Sequence, residues 1–140
     1  MNLEPHVTSL ELSKKLSELG VKKQSIFRWQ NIGDEYSVTG LKKEFIEKNN
    51  DNKENYSAFT ASELLELLPT YFEWRTDEIE SHEKVYLRIY KYSTYFYFMI
   101  DYSDDDDKWQ PYHREENKNF INGLAKMLIH LIENGIVKND

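Results

Sequence analysis

Three groups of residues in this chain have types and spacing that could do chemistry. His113, Glu115 and Glu116 lie close together, and a histidine beside carboxylates is suited to moving protons. Asp101, Ser103, Asp105 and Asp107 alternate like the first ligands of a calcium-binding loop. Tyr86, Arg88, Tyr90, Tyr92, Tyr95 and Tyr97 crowd one short stretch, and tyrosine with arginine is the composition of protein-binding hot spots.

The first two groups lack what their chemistry requires. Nothing sets a nucleophile beside the His113 trio, and such trios arise by chance in charged segments. The other histidines, His6, His82 and His130, are scattered, with no HExxH pair on one helix face. His130 reads as a half-buried side chain beside the apolar stripe of a helix. In the acidic segment the sixth position is Asp106 where a calcium loop needs glycine, and the twelfth is Tyr112 where it needs glutamate. Asp104, Asp105, Asp106 and Asp107 are therefore expected to form a solvated loop with at most weak cation affinity. No glycine-rich phosphate loop and no GxSxG motif is present. Cysteine is absent, which excludes thiol catalysis, disulfides and cysteine-based zinc sites. The expectation is no metal, no cofactor and no enzymatic activity.

The tyrosine group needs a sheet to position it. From Val85 to Ile89 the apolar residues Val85, Leu87 and Ile89 alternate with Tyr86 and Arg88. Beyond Ser93 and Thr94, Phe96, Phe98 and Ile100 alternate with Tyr97 and Met99. Side chains alternate faces along a strand, so this pattern predicts a hairpin with one apolar face and one tyrosine face. Burial fixes its register: Ile89 opposite Phe98, Leu87 opposite Ile100, Val85 opposite Tyr102. The same register sets Tyr90 opposite Tyr97 and Arg88 opposite Met99. The tyrosine face is then either covered by another element, open to a partner, or used to form a homodimer.

Other elements follow from local signals. Thr8 and Glu11 have capping-box spacing, Leu12, Leu16 and Leu19 form a stripe, and Gly20 stops a helix over about 8–19. Ser25 to Gln30 and Glu35 to Val38 flank a turn at Gly33 and predict a small hairpin. Thr60 and Glu63 cap a helix over about 61–68, which Pro69 ends. Tyr71 to Arg75 reads as a strand, completing an antiparallel meander over about 71–102. Phe120, Leu124, Leu128 and Leu131 mark a last helix over about 117–134, ended by Gly135 and expected to dock on the apolar face. Segments 47–55 and 103–110 read as mobile loops. The fold class is α+β, in a single domain spanning residues 1–140.

Net charge is −7, which argues against a general nucleic-acid binder, since that use needs a basic face. The N-terminus has no basic region followed by an apolar run, and no apolar stretch approaches bilayer length. The segments VTSLELSKKLSELGV (7–21), SAFTASELLELLP (57–69), FEWR (72–75) and AKMLIHLIENGIV (125–137) resemble an uncharacterised family of small phage, prophage and mobile-element proteins. The resemblance implies a bacterial cytoplasm and assigns no activity or site residue. The leading expectation is a non-enzymatic protein-interaction module that acts on a host or defence protein through the tyrosine group and Asp104–Asp107. The alternatives are a small-ligand or nucleotide-processing enzyme and a structural or assembly protein.

Overall fold

The computed structural model describes residues 2–40, 55–68, 85–103 and 109–135. The α+β class holds: among the described residues three α-helices pack with two antiparallel three-stranded sheets.

Helix α1 spans Leu10–Glu18. Its N-cap is Ser9, whose hydroxyl accepts from Leu12 N at 3.3 Å, and not the expected Thr8. Thr8 is engaged elsewhere. Its Oγ1 accepts from Phe59 N at 3.1 Å and is bonded to Ser13 Oγ at 2.6 Å. Its carbonyl accepts from Trp29 Nε1 at 2.9 Å, and its own N–H donates to Phe59 O at 2.9 Å. Gly20, at φ 85°, lets Val21 N fold back to Leu16 O at 3.1 Å, the helix stop read from the sequence.

Strands β1 (Phe27–Ile32) and β2 (Glu35–Gly40) form the small hairpin, with Trp29 opposite Val38. Gly33 takes φ +71° at its turn, where an L side chain would be strained. A short strand β3 (Tyr56–Ser57), which the sequence did not signal, pairs with the other edge of β1. Helix α2 (Ala61–Leu67) begins with the expected capping box. Glu63 reaches further: its carboxylate accepts from Ile26 N and lies 2.8 Å from Ser25 Oγ. The helix cap thereby also pins the start of β1.

The second sheet holds β4 (Val85–Lys91), β5 (Phe96–Ser103) and β6 (Trp109–Asn117), with β5 in the centre. The β4–β5 register is the one derived from alternation, including Leu87 opposite Ile100, Ile89 opposite Phe98 and Tyr90 opposite Tyr97. The third strand is the unexpected part. The Tyr71–Arg75 segment lies outside the described residues, as does 47–54. β6 supplies the outer pairing, so Trp109 and Gln110 belong to a strand and not to a 103–110 loop. The ladder shifts between Ile100 and Asp101, where His113 and Pro111 are the successive partners and Tyr112 is the extra residue. Proline is tolerated at such a bulge on an edge strand, where its missing N–H breaks no ladder.

Helix α3 spans Phe120–Glu133. It starts later than the predicted Asn117 because Asn117 still pairs with Phe96 in the sheet. Asn119 caps it, accepting from Asn122 N at 3.0 Å. Its inner face docks Leu124, Leu128 and Leu131 on Phe98 and Ile100, all fully or almost fully buried, as expected. Leu16 of α1 and Leu64 of α2 complete this core. Val7, Trp29 and Ala58 form a smaller one against the first sheet.

Candidate functional site

The two faces of the β4–β5–β6 sheet divide the candidate residues. Period two sends Leu87, Ile89, Phe98 and Ile100 toward the core, where the helices pack. The opposite face carries two cross-strand rows. One runs Tyr90, Tyr97, Glu116; the other runs Arg88, Met99, Arg114. Tyr90 is 43% exposed, Glu116 and Arg114 are exposed, and Tyr97, Met99 and Arg88 are half-buried.

The hairpin tip extends this face. Tyr92 N donates to Tyr95 O at 2.9 Å, which closes the turn. The two rings stack with centroids 4.8 Å apart and planes 14° from parallel. Tyr97 meets Tyr92 edge-on, with centroids 6.5 Å apart. Such offset and edge contacts suit aromatic quadrupoles and hold the rings in a fixed array. Desolvation raises the Tyr95 phenol above the ordinary tyrosine value, with smaller contributions from Glu116, Tyr92 and Tyr97, so it stays a neutral hydrogen-bond donor. Tyr86 pairs with Asp101 in the ladder. Four of the expected tyrosines, with Arg88, are thus brought together on one face. Asp104, Asp105, Asp106 and Asp107 lie outside the described residues.

The proposed acid–base trio is split by the same alternation. Glu116 joins the tyrosine face, whereas His113 and Glu115 point to the helix side. There His113 Nε2 and Glu115 Oε1 are 2.9 Å apart. The His113 ring stacks on His130 of α3, with centroids 3.5 Å apart and planes 10° from parallel. Burial, and then His113, lower the His130 pKa below the usual 6.5, against a smaller upward pull from Glu115 and Glu133. His130 is half-buried beside the helix's apolar stripe, as its position predicted. His130 and Glu115 line a groove of about 520 Å³ between α1, β6 and α3. Its charges are mixed: Glu11, Glu18, Glu115 and Glu133 line it with Lys14, Lys15 and Lys126. Among the described residues no cluster of three metal-binding side chains occurs.

This histidine stack was not legible in advance, because it depends on β6 being a strand. The burial of Arg28 in β1 was not legible either. Alternation places Arg28 on the side opposite Phe27 and Trp29, and it is only 8% exposed.

Comparison of the chain with protein-family models, curated proteins and solved structures returns no match. Among the described residues no helix is long and apolar enough to cross a membrane.

Proposed function

We propose that this chain is a non-enzymatic protein-interaction module whose tyrosine–arginine face holds a protein partner. The observation that carries this reading is the row of Tyr90 and Tyr97 on the sheet face opposite the helices, flanked by Arg88 and Arg114. Tyrosine offers large contact area with few rotatable bonds and a polar end, and arginine pairs with carboxylates in a fixed fork. The partner is therefore a protein surface presenting apolar side chains and carboxylates, and a host or defence protein is the expected class. The phage or mobile-element setting and a bacterial cytoplasmic location rest on the resemblance of segments 7–21, 57–69, 72–75 and 125–137. The lack of cysteine is consistent with a reducing compartment.

The test is affinity capture from bacterial lysate with the native chain and with Tyr90→Ala/Tyr97→Ala, followed by affinity measurement on the captured protein. The double variant should weaken binding by at least about 2 kcal/mol, the scale of a hot spot. Equal binding by a folded double variant would remove the face from the interaction. Sedimentation over a range of concentrations separates a second copy of the chain from a foreign partner.

A second reading, a small-ligand or nucleotide-processing enzyme, is favoured by one feature, the groove beside His113, Glu115 and His130. Saturable small-molecule binding lost in His113→Ala would support it.

A further inference from the structure

Arg28 presents a physical problem that the interaction face does not solve. A guanidinium remains charged at any physiological pH, and burying a charge without a partner costs several kcal/mol. Its Nε and Nη1 are enclosed and have no hydrogen-bond partner among the described residues. Burial pulls its pKa below the ordinary arginine value, and among the described residues no carboxylate offsets it.

The surroundings are built in one sense. Arg28 lines a small cavity of about 130 Å³ beside Ser13 and Ser17 of α1, Lys22, Lys23 and Ser57. Asn55 and Gln24 add polar groups, and among the described residues no acidic side chain lines it. That is notable in a chain with 25 acidic and 18 basic residues. Lys23 is paired with Glu66, whereas Lys22 is exposed. Phe59, which lines the site, is anchored in the main core. The cavity is therefore a recess lined by Arg28, Lys22 and Lys23, with room for one small group.

We propose that this recess binds a phosphate group, with Arg28 as its buried anchor and Lys22 as the second cation. A guanidinium gives charge-assisted hydrogen bonds to phosphate oxygens, which are stronger than neutral ones. Serine hydroxyls and an asparagine amide suit the remaining oxygens. The volume accommodates the phosphate alone, so any organic part of a phosphomonoester would lie outside. The ligand is inorganic phosphate or the terminal phosphate of a small phosphomonoester, and the site is separate from the tyrosine face.

The experiment uses the full chain and titrates sodium phosphate, or a nucleoside monophosphate, against chloride at matched ionic strength. The readouts are the melting temperature and the Arg28 Nε–H resonance. A ligand that binds only the folded state raises the melting temperature in a saturable way. The expected result is such a rise, with a shift of the Arg28 signal and severalfold weaker binding in Lys22→Gln. Arg28→Gln should abolish binding. If that variant does not fold, Lys22→Gln and the resonance in the native chain decide the matter. Tighter binding of the nucleoside monophosphate identifies a phosphomonoester, and equal binding identifies free phosphate. An unmoved Arg28 signal, or a melting response that chloride reproduces, overturns the proposal.

Discussion

At the scale of single residues, Gly123 shows how a contact across the fold can reverse a local rule. In a helix interior, glycine is usually about 1 kcal/mol worse than alanine. Here a Cβ on Gly123 would lie 2.1 Å from Phe98 Cε2, well inside van der Waals contact. Phe98 is fully buried and has nowhere to move. Gly123→Ala should therefore destabilise the protein, by about 1–3 kcal/mol, the usual cost of overpacking. Denaturant melts check this, and a more stable variant would mean that α3 sits further from the sheet. The sequence could not reveal this, because FINGLAKM does not show which aromatic ring lies opposite. His130 gives a second residue-scale expectation. Its folded pKa lies below the unfolded value near 6.5, so the folded state favours the neutral ring. That contribution is present above about pH 6.5 and is lost as pH falls through the lower, folded value. The melting-temperature advantage of the native chain over His130→Gln should thus shrink between about pH 7.5 and pH 5.5. A pH-independent difference would contradict it. Thr8 and Ser9 make a related point: both are good helix caps, and only the distant Phe59 N–H decides which one serves.

At the scale of elements, what could be read depended on apolar periodicity. The β4–β5 register and the docking face of α3 were legible, because Leu87, Ile89, Phe98 and Ile100 alternate and Leu124, Leu128 and Leu131 recur at helical spacing. Leu128→Ala should cost about 2–5 kcal/mol, as expected when a cavity opens in a packed core. A loss under about 1 kcal/mol in urea melts would place the helix elsewhere. Strand β6 was not legible, since WQPYHREEN has a proline and no apolar alternation. Its inward positions are filled by His113 and Glu115, whose partners are each other and His130. What makes it a strand is its neighbour β5. Its outward charges, Arg114 and Glu116, also discourage pairing with another sheet edge.

At the scale of the whole molecule, the candidate face was legible as a set of residues but not as a surface. Alternation placed Tyr90 and Tyr97 together, whereas Arg114 and Glu116 joined them only through β6. The two rows thus carry two arginines and one glutamate within a chain of net charge −7. Binding through it should be short-ranged: Tyr90→Ala/Tyr97→Ala should raise the dissociation rate of a partner more than it lowers the association rate, as is usual for interface mutations. Surface plasmon resonance would show this, and a change confined to association would not fit. The packing of α1 against α3 also bears on assembly of the chain in time. Ser9 N donates to Asn122 Oδ1 at 3.1 Å, across 113 residues, and Leu16 shares its core with α3. Closing contacts so far apart in sequence is entropically slow. During synthesis, the apolar stripe of α1 must wait for nearly the last helix to emerge before it is covered. A chain stopped after Asn117 should accordingly lack a cooperative melt by circular dichroism, and a sharp transition there would show that α1 and the first sheet can mature on their own.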